Sequence, residues 1–148
     1  MSTSPRPTIV SIGYERRTVD ELISLLRDNN VDVLVDVRLT PISRKQGFSK
    51  SALAEALQGA GIEYRHEREL GNPKENRDGF RRGLKSARRR YSLHLQNGAS
   101  SVFREVIDLV HTSRPALLCV EREQADCHRS SILEGAQQDI PDLRIIDV

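Results

Sequence analysis

Residues 115–133 read PALLCVEREQADCHRSSIL, and the change of character along them sets the architecture. Residues 116–120 form an apolar run, short enough for a strand and unbroken enough for one buried on both faces, as in a parallel sheet. Residues 121–126 turn abruptly polar. Asp126 is of a type that caps helix N-termini, which would place Cys127, His128 and Arg129 in a first helical turn. A strand, a polar loop and a helix start present free backbone N–H groups and the positive end of a helix dipole. Such an end favours anions and lowers the pKa of a thiol placed there. Cys127, His128 and Arg129 then supply a nucleophile, a proton carrier and an anion clamp.

On either side of this stretch the chain alternates between the two periodicities. Residues 8–12 read as a first strand ended by Gly13. Thr18-Val-Asp-Glu21 matches a capping box, and Leu22, Ile23, Leu25 and Leu26 give a helical apolar stripe to about Arg27. Residues 31–37 are a second strand, and residues 38–49, with Pro41 and Gly47, are a long loop. Residues 51–57 are helical, stopped by Gly59 and Gly61, and residues 62–65 are a short third strand. Residues 67–79 read as loop, residues 80–95 as one basic helix, residues 101–111 as a further helix and residues 143–148 as a last strand. Alternation of this kind predicts an α/β domain over residues 1–148, a three-layer Rossmann-like sandwich with a mainly parallel sheet.

The 148 residues suffice for one substantial core, and 30% charged residues imply a highly charged surface. A formal net charge of +2 does not by itself point to nucleic acid. No apolar run reaches the length of a membrane span, and the first residues, MSTSPRPT, lack the apolar core of a signal peptide. Two cysteines are too few for a secreted disulfide framework, so the expected compartment is a reducing cytoplasm with both thiols free.

In parallel sheets ligands bind at the carboxyl ends of the strands, which gathers dispersed residues into one place. Gly13 and Tyr14 follow the first strand, Asp36 and Arg38 end the second, and Glu121 follows the fourth beside Cys127, His128 and Arg129. Arg129 falls on the side of its helix that faces the sheet, where a charge needs a partner, and Asp36 and Glu121 are the available carboxylates.

The motifs SIGYERRTVDELISLL, VLVDVRLTPISRKQGFSKSALAEAL, IEYRHERELGNP and ALLCVEREQADCHRSSIL occur in order over most of the chain. In this arrangement the chain resembles the bacterial and archaeal family named domain of unknown function 488, DUF488. The resemblance implies an α/β fold and carries over Gly13, Tyr14, Asp36, Arg38, Pro41, Ser43, Arg44, Leu70, Gly71, Cys119, Glu121, Cys127, His128 and Arg129 as characteristic positions. Asn72 departs from the glycine expected there. No activity comes with the resemblance.

Weighed one by one, these residues leave two function classes. Cys119, inside an apolar run, reads as a small buried hydrophobe. A rhodanese or tyrosine-phosphatase loop needs a cysteine directly after the strand followed by glycines, and residues 121–126 contain no glycine. Cys119, Cys127 and His128, with Glu121 as a fourth, lack the paired short spacings of a structural zinc site, so neither metal nor cofactor is expected. Consecutive helical residues point about 100° apart, which argues against a direct Cys127–His128 pair. The favoured reading is a small anionic ligand, phosphate-containing or nucleotide-like, bound or acted on at the strand ends. Glu121, Cys127 and His128 would carry any chemistry, and Gly13, Tyr14, Asp36, Arg38, Ser43, Arg44 and Arg129 would form the binding set. The alternative is a non-catalytic nucleic-acid or protein interaction module built on Arg81, Arg82, Lys85, Arg88, Arg89 and Arg90, since arginine suits phosphate.

Overall fold

A computed structural model describes residues 6–123 and 127–148. Five strands, β1 (Thr8–Gly13), β2 (Val33–Asp36), β3 (Glu63–His66), β4 (Pro115–Cys119) and β5 (Arg144–Asp147), form one sheet in the order β3-β2-β4-β1-β5. Every pairing is parallel, so the predicted mainly parallel sheet is entirely so. The central strands β1, β2 and β4 are buried along their whole length, which explains their uninterrupted apolar runs.

Alternate strand residues serve opposite faces. Val10, Ile12, Leu34, Ala116 and Leu118 pack against helices α1 (Val19–Asp28) and α2 (Lys50–Gly59) through Leu22, Leu26, Leu53 and Leu57. Ile9, Val35, Leu117 and Cys119 face the other way, toward α3 (Lys74–Arg81), α4 (Lys85–Gln96), α5 (Ser100–Asp108) and α6 (Arg129–Asp139). The result is a three-layer α/β sandwich. The capping box at the start of α1 is formed, Thr18 Oγ1 accepting from Glu21 N–H at 3.1 Å and Glu21 Oε1 from Thr18 N–H at 3.2 Å. Among the described residues no helix is long and apolar enough to cross a membrane.

Two elements differ from the sequence expectation. Residues 67–79 are not loop throughout, because a 3₁₀ turn covers Arg68–Leu70 and α3 starts at Lys74, directly after Pro73. The single basic helix over residues 80–95 is in fact the end of α3 and the whole of α4. Gly83 separates them at φ +74°, a left-handed conformation that ends a helix readily only with glycine. Asn76 ties the pair together, its amide donating to Asn72 Oδ1 and to the Ala87 carbonyl, each at 3.0 Å. The proposed N-cap, Asp126, lies outside the described residues.

Tyr91 of α4 is buried, and its hydroxyl donates to the Leu70 carbonyl at 2.5 Å. Burial holds its pKa well above the usual tyrosine range. Tyr91→Phe should therefore cost about 1–2 kcal/mol, the penalty for a buried carbonyl left without its donor. Urea denaturation of the two proteins measures this, and coincident midpoints would mean that the bond contributes nothing.

Candidate functional site

The register aligns the strand ends on which the site is built. Gly13 stands opposite Cys119, and Asp36 opposite both Leu118 and His66. Beyond these pairs the segments continue side by side, Tyr14 N–H bonding to the Cys119 carbonyl at 3.1 Å and Val37 N–H to that of Leu118 at 3.0 Å.

Asp36 is the electrostatic anchor of this edge. It is fully buried, and its Oδ1 accepts from Arg38 N–H at 3.1 Å and Nε at 2.8 Å. Its Oδ2 accepts from Arg38 Nη2 at 2.6 Å and from the Tyr64 hydroxyl at 2.5 Å. Arg38 spends Nη1 on the Phe48 carbonyl at 2.6 Å, and its guanidinium lies over the Tyr14 ring. Burial alone would lower the Arg38 pKa, but the hydrogen bonds and charge of Asp36 outweigh it and raise the pKa. Tyr64 is pushed up, first by burial and then by its bond to Asp36. Asp36 and Arg38 thus form a buried carboxylate–guanidinium pair at this edge.

Arg129 is also fully buried, but among the described residues it makes no ion pair with a carboxylate. Its Nη1 donates to Ser11 Oγ at 3.0 Å and its Nη2 to the backbone carbonyl of Glu121. Burial brings its pKa down to about 10. The expected ion pair with Asp36 or the Glu121 side chain is therefore corrected: a backbone carbonyl takes the place of a carboxylate. The same carbonyl sits against Gly13, where an added Cβ would lie 1.9 Å from it. Gly13 and Arg129 together fix the start of the segment after β4, and neither lines the cavity described next.

That cavity, of about 120 Å³, opens at the strand ends and is bounded by Tyr14, Arg38, Asn72, Arg77, Arg81, Cys119, Glu121, Cys127 and His128, with Ile42 and Val120 at its apolar rim. Arg81 grips Glu121 Oε1 through Nε and Nη2, at 3.0 and 2.7 Å, and this bond raises its pKa. Arg77 donates Nε to the Asn72 carbonyl at 2.9 Å and makes no ion pair among the described residues. Ser43 and Arg44 stand apart from this group. Ser43 is held by Ser49 across the loop before α2, and Arg44 is exposed.

The two cysteines depart most from expectation. Cys119 and Cys127 are joined as a disulfide, not free, because the chain leaves the sheet at Cys119 and returns alongside it at Cys127. Both residues are buried, at 1% and 2% exposure. Helix α6 begins only at Arg129, and the rule that consecutive helical residues diverge does not govern Cys127 and His128. Cys127 Sγ lies 3.5 Å from His128 Nδ1. The other ring nitrogen, Nε2, is 2.8 Å from the Val37 carbonyl. A carbonyl only accepts, so the ring proton sits on Nε2 and the Nδ1 lone pair faces the sulfurs. Burial lowers the His128 pKa to about 4, which keeps the ring neutral near pH 7. The Tyr91 ring meets it edge-on at 5.2 Å.

Sequence reasoning missed Arg77 and Asn72 as cavity residues, having placed both in a loop. Pro73 followed by Lys74, with Gly83 further on, is the local signal for a separate short helix that would have placed them. The basic segment is divided as well. Arg81 is engaged with Glu121 and Arg88 stacks over Phe80, whereas Arg82, Lys85, Arg89 and Arg90 are exposed.

No match was found among curated proteins or solved structures. The family model described as "Domain of unknown function DUF488" matches residues 18–135, most of the chain, and the chain belongs to the DUF488 family.

Proposed function

We propose that the protein binds a small anionic ligand, a phosphate-bearing compound, in the cavity at the carboxyl ends of β1, β2 and β4. The observation that carries this reading is the cation balance of the cavity wall. Arg38 and Arg81 are each matched by one carboxylate, Asp36 and Glu121, while Arg77 faces the same space without an ion-pair partner among the described residues. A guanidinium offers several donors in a fixed fork, which suits a phosphate oxygen pair better than water alone does. Tyr14 and Asn72 add neutral polar groups, and the apolar rim of Ile42 and Val120 suits a less polar remainder of the ligand. The cavity has room for a small charged group. The larger part of a nucleotide would lie outside it.

Arg129 holds the wall and does not touch the ligand, so the informative variant is Arg77→Gln. A hydrogen bond to a charged group contributes about 1.5–3 kcal/mol. Arg77→Gln should thus weaken binding of inorganic phosphate or AMP by about 10- to 100-fold in calorimetric titration. The paired change Arg89→Gln/Arg90→Gln should leave it unaltered. Equal affinity in wild type and Arg77→Gln, with loss in the Arg89/Arg90 variant, would move the anion site to the exposed face of α4 and favour the nucleic-acid alternative.

A further inference from the structure

The cysteine pair and its histidine have no part in the anion reading above, yet they are the densest group of metal-ligating atoms among the described residues. Cys119 Sγ, Cys127 Sγ and a His128 ring nitrogen all lie within 4.8 Å of one another, and the three residues line one cavity. We propose that in the reduced protein these three atoms bind a thiophilic divalent cation, zinc by preference, with the fourth coordination position turned toward the cavity.

Three features support this assignment. Zinc takes thiolate sulfur and imidazole nitrogen at about 2.3 and 2.0–2.1 Å, and two thiolates with one imidazole plus an open position is an established donor set for it. His128 is already oriented as a ligand. Its Nε2–H is fixed on the Val37 carbonyl, which leaves the Nδ1 lone pair directed at the sulfurs, the outer-partner arrangement usual for ligating histidines. The two cysteine Cα atoms are 7.5 Å apart, one at the end of β4 and the other just before α6, so two separate segments bring their side chains to the same point. Glu121 stands at the margin of the set. Its Oε2 is 3.4 Å from Cys119 Sγ while Arg81 holds Oε1, which puts an oriented carboxylate beside the open position. Short paired spacings, the signal sought in the sequence, are not needed, because the return of the chain after β4 brings together what the numbering separates.

The disulfide and the bound ion exclude one another. A phosphine reductant supplies the two electrons and is itself oxidised to the phosphine oxide with oxygen from water, leaving two thiols. Metal binding then displaces both thiol protons to solvent, and His128, neutral at Nδ1, releases none.

The test uses the full chain reduced with a trialkylphosphine, and the probe is zinc alone. After incubation with zinc chloride and gel filtration, elemental analysis should find one zinc per chain. The same protein oxidised to the Cys119–Cys127 disulfide should retain none. Cys127→Ser and His128→Gln should each lower zinc affinity more than about 100-fold, beyond the 10- to 100-fold that losing an outer partner costs. Cobalt(II) provides a second readout, since a folded wild-type protein should show thiolate-to-cobalt charge-transfer absorption that Cys119→Ser/Cys127→Ser lacks. Zinc retained equally by the oxidised protein or by the double serine variant would place the metal elsewhere, and a reduced protein that binds none would overturn the proposal. Phosphate titration of the zinc-free disulfide form reads the anion site separately, so the two ideas fail by different measurements.

Discussion

Asp36→Ala should remove about 3–5 kcal/mol of folding stability, the cost of leaving a buried charge without its partner. The carboxylate is wholly enclosed and receives the Arg38 backbone N–H, two guanidinium nitrogens and the Tyr64 hydroxyl. Arg38 is itself only 5% exposed, so it cannot swing out to water without dismantling the contacts of Tyr14 and Phe48 around it. A typical domain has about 5–15 kcal/mol in total, which makes this one substitution a large fraction. Asp36→Asn keeps one acceptor and should fall between alanine and wild type. Removing the arginine too, as Asp36→Ala/Arg38→Met, should recover part of the loss, because no orphan charge remains. Urea denaturation of the set is the measurement. An Asp36→Ala protein within about 1 kcal/mol of wild type would show that the pair does not anchor the sheet edge.

Gly13→Ala should be nearly as damaging, for a steric reason. The added Cβ would lie 1.9 Å from the Glu121 carbonyl oxygen, 2.5 Å from its carbon and 2.7 Å from Arg122 Cα. All three are backbone atoms, so no side-chain rotation relieves the clash and the segment after β4 must move. Moving it takes the Glu121 carbonyl from Arg129 and the Glu121 carboxylate from Arg81 and Cys119. We expect a loss of about 3 kcal/mol, at the upper end for overpacking, together with loss of phosphate binding. Gly59→Ala is the control. Nothing lies within 4 Å of its would-be Cβ, and alanine's better helix propensity should leave stability unchanged or raised by up to about 1 kcal/mol. Matching denaturation curves for the two alanine variants would contradict the close approach at Gly13.

Much of this arrangement was legible in the residues. The apolar runs at the three central strands, the Thr18–Glu21 box and the polar switch after Val120 carry their structures locally, and the strand-end rule gathered Tyr14, Asp36, Arg38, Glu121, Cys127 and His128 at one edge. What escaped depends on partners that have no sequence signature. The two Nη groups of Arg129 donate to a hydroxyl and a backbone carbonyl, and every residue has a carbonyl, so a search among carboxylates could not find them. The Cys119–Cys127–His128 grouping depends on how far the chain travels before α6 begins. A start two residues after Cys127 turns an expected divergence into a 3.5 Å contact. Arg77 escaped because residues 67–79 read as loop, and only the helix that starts directly after Pro73 carries it to the cavity.

Titration of ¹⁵N-labelled protein with inorganic phosphate, followed at amide and arginine Nε–H resonances, locates the anion site. Saturable shifts are expected at Tyr14, Leu39, Asn72, Val120 and His128 and at the Nε–H of Arg77, with Arg89 and Arg90 unmoved. Shifts confined to residues 82–90, or no saturable shift at the cavity residues, would rule out an anion site at the strand ends.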